Sequence, residues 1–233
     1  MALAHSPRIV TDGLVLYLDA TNPKSYPGSG TIWTDLSGNG YGGSLSGSVS
    51  YSSSPSRFDT NAVDRLTRDY LTTSSQIVFN DLSSYTFDFI VKLRSSAQAT
   101  FNSLTGRLAT TPWISIYPVD TTGDSWNIRY RQSGGTYIST SNVNYNIQNN
   151  WANIVLSVDT SRNLNFYLNG ILQETINPTT TLFYVDLIGG GYSASGNYYA
   201  LQGSIASCKI YSKTLSEQEI QQNFNAIRGR FGL

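Results

Sequence analysis

The sequence predicts an all-β protein closed by one short C-terminal helix. Three observations lead there. The chain carries 16 Tyr, 9 Phe and 4 Trp among 233 residues, and such rings suit a pleated, half-buried surface. Apolar and polar residues alternate in many short runs, the period of a strand with one buried face. A single segment near the end has a helical period instead, and a lone helix after many strands reads as a flank on a sandwich.

The elements follow in order. "GLVLYLD", Gly13 to Asp19, is the first strand, with Leu14, Leu16 and Leu18 on one side. "NPKSYPGSG", Asn22 to Gly30, is a loop by its prolines and glycines. Ser44 to Ser56 holds nothing helical and reads as short irregular strands and turns. "YTFDFIVKL" is the clearest long strand. Tyr85, Phe87, Phe89, Val91 and Leu93 share one face, and Thr86, Asp88, Ile90 and Lys92 the other. "WISIY", from Trp113, and "SWNIRYRQ", from Ser125, alternate in the same way. In the second, Trp126, Ile128 and Tyr130 face inward, and Asn127, Arg129 and Arg131 outward. "TYIST", from Thr136, is its hairpin partner across Gly134 and Gly135.

A meander follows: Trp151 to Val158, Leu164 to Leu168, and Ile171 to Ile176. Asn169-Gly170 joins the last two runs, because both residues tolerate the positive φ of a tight hairpin turn. "LFYVDLIGG" and "LQGSIASCKIYS" supply two more strands. The helix lies in "TLSEQEIQQNFNAIRGRFG". Ser216 and Glu219 form a capping box, Leu215 and Ile220 a hydrophobic staple, and Ile220, Phe224 and Ile227 an apolar stripe. Gly229 is expected to end it in the left-handed conformation.

Composition narrows the function. Charged residues are 13% of the chain, against the ~25% usual in soluble domains. Basic and acidic residues balance at 15 each. There is no field of Lys and Arg for nucleic acid, and the cluster Asp64, Arg65, Arg68 and Asp69 reads as solvated surface. No apolar run reaches the ~18 residues of a membrane span. "MALAHSPRIVTDG" lacks the basic and apolar regions of a secretory signal, so synthesis in a cytoplasm without signal-peptide export is expected. Cys208, the one cysteine, sits in an alternating apolar stretch and is expected to be packing rather than a nucleophile. Residues 1–7 are expected to be a flexible N-terminus, and 8–233 one domain without a linker.

Chemistry-bearing motifs are sparse. "WTDLSGNGYGGSL" places Gly38, Gly40 and Gly43 in G-x-G-x-x-G spacing. A dinucleotide loop needs a helix after it, and the following "SLSGSVSYSSSPS" is no helix former. The glycines read as a turn, with Trp33 and Leu36 plugged into the core and Asp35, Ser37 and Asn39 bonding their own backbone. Sandwich glycosidases need paired carboxylates. Of three Glu, Glu217 and Glu219 start the helix and Glu174 stands alone, while Asp88 has no acid two or four places away on its strand. A two-Asp site across strands stays open. His5 is the only histidine. "DTSRNLN", Asp159 to Asn165, lacks the distal Glu and central Gly of a calcium loop and reads as a polar turn. No catalytic residue, metal or cofactor is expected.

Three stretches carry a family likeness: "GLVLYLDATNPKSYPGSGTIWTDLSGNGYGG", "WANIVLSVDTSRNLNFYLNG" and "GSIASCKIYSKTLSEQEIQQNFNAIRGRFG". They resemble the laminin-G-like branch of the concanavalin A-like lectin/glucanase superfamily, and more narrowly its stand-alone versions in tailed phages, including those of cyanobacteria. The likeness spans roughly residues 8 to 232, and its most specific pieces are W-x-D-L-S-G-x-G, Y-L-N-G and the C-terminal G-x-I-A…I-Y…L-S-x-x-E-I…N-F. It implies a concanavalin A-like jelly-roll β-sandwich of two antiparallel sheets. The E-x-D-x-x-E strand of the family's hydrolases is missing. The missing signal, single cysteine and lack of a calcium motif depart from the secreted animal members.

Two functions follow as expectations. One is a non-enzymatic virion protein, as capsid decoration, fibre or tail component, held by other virion proteins. By analogy with such proteins, a homo-oligomer is expected as well. The other is binding of host glycans, which pairs flat rings with convergent polar groups. Tyr192, Asn197 and Tyr198 in the loop "GGGYSASGNYY" are one candidate set. Asn127, Arg129 and Arg131, with Tyr137 nearby, are the other.

Overall fold

The computed structural model describes residues 8–60, 68–94, 102–108, 111–119, 124–132, 135–192 and 199–233. The strands in chain order are β1 (Leu14–Asp19), β2 (Ile32–Trp33), β3 (Gly43–Ser46), β4 (Ser50–Ser53), β5 (Ser56–Asp59), β6 (Tyr70–Phe79), β7 (Tyr85–Leu93), β8 (Asn102–Gly106) and β9 (Trp113–Pro118). They continue with β10 (Ser125–Arg131), β11 (Tyr137–Ser139), β12 (Val143–Asn144), β13 (Ala152–Val158), β14 (Leu164–Leu168), β15 (Ile171–Ile176), β16 (Phe183–Ile188) and β17 (Gly203–Tyr211). One helix, α1 (Glu217–Ile227), follows.

Among the described residues the strands form two antiparallel sheets. The first runs β15-β14-β13-β7-β17-β5-β4, with β1 also on β17. The second runs β11-β10-β9-β8-β16-β6-β3-β2, with β12 also on β10. Alternation explains the core between them. Phe87, Phe89 and Leu156 of the first sheet meet Ile114, Ile128 and Val185 of the second in one buried cluster. This is the sandwich of two antiparallel sheets that the sequence predicts.

The meander and its turn fall as expected: Asn169 and Gly170 take φ of 51° and 77°. Ser216 caps α1 with a complete capping box. Cys208 is fully buried, and burial pushes its thiol well up. Asp159 accepts from the backbone N–H of Ser161 and Asn163 as a polar turn.

Four expectations need correction. Gly229 does not end the helix in the left-handed region. It lies in a 3₁₀ turn, Arg228–Arg230, and the positive φ falls on Gly232 instead. Leu36 is only half-buried, while Trp33 is buried as expected. Asp69 is not solvated: it is buried and accepts the Ser48 N–H at 2.7 Å. A bulge between Leu14 and Leu16 turns Leu14 out of the main core onto a separate cluster with Val10 and Tyr211. Asp64, Arg65, Gly134 and residues 1–7, His5 among them, lie outside the described residues.

α1 covers the middle of the first sheet's outer face. Ile220 packs on Val155, Tyr167 and Tyr211, and Ile227 on Ile90, Trp151 and Ala206. Between these clusters lies a buried ion pair. Lys209 Nζ is 3.0 Å from Asp88 Oδ2, with side chains 0% and 1% exposed. Asn153 donates to Asp88 Oδ1 at 2.7 Å, and Asn223 of the helix to Asp88 Oδ2 at 3.3 Å. Removing one partner of a buried pair strands the other charge. Lys209→Met is therefore expected to lower unfolding free energy by about 3–5 kcal/mol, read by denaturant titration, and adding Asp88→Asn is expected to recover part of the loss. Gly38 has φ +91° and open space around its Cβ position. Gly38→Val should accordingly lose roughly 1–3 kcal/mol from backbone strain alone, with no nucleotide affinity in either protein by calorimetry.

Candidate saccharide-binding face

The second sheet presents an outer face with a different chemistry. Trp126, Ile128 and Tyr130 point into the core, so the alternate residues of β10 point away from it. The ladder pairs Asn127 with Tyr117, Arg129 with Ser115, and Arg131 with Trp113. On the other side it pairs Arg129 with Ser139 and Arg131 with Tyr137. Cross-strand partners share a face. The result is a strip in which two arginines alternate with rings.

The contacts are close. The Arg129 guanidinium carbon lies 3.2 Å from the Tyr117 ring centroid. That of Arg131 lies 4.2 Å from Trp113 and 4.9 Å from Tyr137. Such stacking contributes about 0.5–2 kcal/mol and leaves the guanidinium edge available for hydrogen bonding. Arg131 Nε donates to the Gly135 carbonyl at 3.2 Å, which fixes its plane. Tyr137 is 39% exposed. Burial of the rest of the ring pushes its phenol above its ordinary value, against the opposing pull of Arg131. It therefore stays an O–H donor at neutral pH.

Asn127 is on the expected face but is not exposed. It is buried, and its Nδ2 donates to Asn142 Oδ1 at 3.1 Å. Flanking side chains cover it, so the outward direction that alternation gives does not amount to access. Asn127 Oδ1, Ser103 Oγ and Ser115 Oγ are buried and have no hydrogen-bond partner among the described residues.

Gly191 and Tyr199 lie beside the second candidate set. Gly191 runs so close to the sheet that a Cβ there would sit 2.8 Å from Ser103 Oγ and 3.2 Å from Trp113 Cβ. The Tyr199 N–H donates to the Gly191 carbonyl at 2.8 Å, and the Tyr199 ring lies 5.2 Å from Trp113. Gly191 and Tyr199 thus sit beside the Arg131–Trp113–Tyr137 corner. Tyr192 itself is half-buried. Asn197 and Tyr198 lie outside the described residues.

Trp113, Tyr117 and Tyr199 are the members that sequence reasoning missed. The signal for Trp113 and Tyr117 was present in "WISIY", where the rings and Ser115 fall on one face, opposite Ile114 and Ile116, whereas Tyr199 carried none. The carboxylates are engaged elsewhere. Glu174 accepts the Ser141 N–H at 2.5 Å, Glu219 caps the helix, and Asp88 lies beneath it. Among the described residues no group of three or more His, Cys, Asp or Glu gathers at metal-binding distance.

The fold agrees with the relatives. A laminin G model, described as the concanavalin A-like lectin/glucanases superfamily, matches residues 66–221. The chain belongs to that family. No curated protein matches it by sequence. Among solved structures, it is similar to one from work on cell entry of botulinum neurotoxin type C through two ganglioside molecules. The TM-score is 0.63 at 18% identity, over 93% of this chain and 52% of that one. The binding domain of botulinum neurotoxin DC is similar in two complexes. With rat synaptotagmin II the TM-score is 0.60 at 16% identity, over 94% of this chain and 52% of the other. With SialylT it is 0.61 at 17%, over the same shares. The chain spans about half the length of these structures, and at such identity the likeness carries the fold alone.

Proposed function

We propose that the protein is a non-enzymatic recognition module that binds saccharides on the outer face of the second sheet, at the Arg131–Tyr137 corner, beneath which Trp113 is fully buried. The observation that carries this reading is the stacking of Arg129 and Arg131 on Tyr117, Trp113 and Tyr137, beside the loop of Tyr192 and Tyr199. Saccharide sites combine an apolar ring face with hydrogen-bond donors fixed in direction, and guanidinium edges match carboxylates in bidentate fashion. Membership of a lectin-type family supports the reading. So do fold neighbours described with gangliosides and SialylT, although those proteins are about twice as long.

A second reading concerns where the module works. The resemblance of the three quoted stretches to stand-alone phage domains supports a virion component, in the head, a fibre or the tail, held by other virion proteins. A particle surface component can also adhere to host glycans, so the two readings are compatible.

Binding is tested on a glycan array followed by titration of the best hit. Tyr137→Ala and Arg131→Ala are each expected to weaken it about tenfold, the loss of roughly one stacked or bidentate contact. An array with no hit, or a Tyr137→Ala protein that binds as wild type, would sink the saccharide reading. For the particle reading, mass spectrometry of purified virions is expected to find the chain. Abundance in infected cytosol with absence from particles would remove it.

A further inference from the structure

The helix closes only part of the first sheet's outer face. A corner remains open where β4, β5, β17 and the end of β7 meet. The ladder sets Ser50 opposite Asp59, Asp59 opposite Ser204, and Ser204 opposite Lys92. These four polar residues form one row across four strands. Beside it opens a cleft of about 530 Å³, whose lining includes Arg57, Asp59, Lys92, Arg94, Gln148 and Asn149.

Among the described residues that line it, Arg57, Lys92 and Arg94 stand beside one carboxylate, Asp59. That carboxylate is already engaged. Asp59 Oδ1 is 2.9 Å from Arg57 Nε and accepts from Ser204 Oγ at 2.5 Å. Its Oδ2 accepts from Ser52 Oγ at 2.7 Å. Asp59 therefore neutralises and orients Arg57. The Arg57 Nη1 is held in turn by the carbonyls of Ser54 and Pro55. The Lys92 ammonium has neither a hydrogen bond nor an ion pair among the described residues, although the side chain is half-buried. A half-buried ammonium in a concave, positively charged corner is poised for an anion.

We propose that this cleft is a second, separate binding site, and that it takes an acidic saccharide residue through Lys92. Its volume is several times that of a bare oxyanion. Ser50, Gln148, Asn149 and Ser204 set neutral donors and acceptors around the cations, in the manner that ring hydroxyls require. Among the described residues the lining contains no aromatic ring. Affinity here depends on charge rather than on stacking, so salt weakens it strongly. The site lies on the opposite sheet from the Arg131 corner, and the two stand or fall independently.

The test is a titration followed by amide shifts in the nuclear magnetic resonance spectrum of the full chain. The probes are glucuronic acid, a galactose sulfate, neutral glucose and inorganic sulfate. Shifts are expected at Lys92, Asn149 and Ser204 with the two acidic sugars. Lys92→Gln should weaken their binding about tenfold, the loss of one charge-assisted contact, and Lys92→Arg should restore most of it. The shifts at Lys92, Asn149 and Ser204 should be the ones lost in Lys92→Gln, and melting curves should show both variants folded. A Lys92→Gln protein that binds as wild type overturns the proposal. So does glucose binding as well as glucuronic acid, inorganic sulfate binding as tightly as the sugars, or shifts confined to β9–β11.

Discussion

The buried pair of Asp88 and Lys209 is the constraint on which the rest of the arrangement turns. Two charges with almost no exposure face a large desolvation cost, and such a pair survives only when its remaining hydrogen-bonding capacity is met. Asp88 meets it with three partners from three elements: Lys209 on β17, Asn153 on β13 and Asn223 on α1. Asn223 then reaches further. Its Nδ2 donates to the Tyr211 hydroxyl, which donates to the Val10 carbonyl, and its Oδ1 accepts the Val10 N–H at 2.8 Å. One carboxylate thus ties the centre of a sheet, the helix and the segment before β1. An apolar face alone would let the helix slide along the sheet. Directional bonds to a fixed charge give it one position.

That position divides the molecular surface. The helix takes the middle of the first sheet's outer face, so aromatic rings there pack as a second core. The second sheet keeps its rings against arginines instead. Arg129 and Arg131 stand two residues apart on one face, where like charges oppose each other. Rings resolve the conflict differently from carboxylates: they hold the guanidinium by its flat side without neutralising it. Asp81, by contrast, takes the Arg162 guanidinium by its edge.

Much of this was legible in the sequence, and the limits have physical causes. Alternation located β7, β10 and the meander because a strand's side chains can only point two ways. It could not tell that both faces of β7 are buried, since the covering helix lies more than 120 residues away. Asp88 and Lys92 share a face and a strand, yet one lies under the helix and the other lines an open cleft. Only tertiary position separates them. The capping box was readable because it is local, whereas the end of the helix was not: a 3₁₀ turn absorbed Gly229 and moved the left-handed residue to Gly232. At the candidate face, Arg129, Arg131 and Tyr137 could be named from one hairpin. Trp113 and Tyr199 depended on pairings with strands and loops distant in sequence.

The glycine stretch after Trp33 shows why spacing without context misleads. A phosphate cradle works by pointing several backbone N–H groups at one empty place. This turn also gathers N–H groups, those of Tyr17, Ser37 and Tyr41, and all three donate to the carboxylate of Asp35 at 2.8–3.1 Å. The anion that such a turn could hold is supplied by its own chain. Ser37 Oγ donates to the Val15 carbonyl at 2.8 Å, and Asn39 Nδ2 donates to those of Leu14 and Val15, so the turn is pinned to β1 from its tip. Gly38 and Gly40 adopt the positive φ that such winding requires. The pattern is therefore an anion-binding turn already filled, and its binding energy goes into holding β1 against the segment that leads to β3.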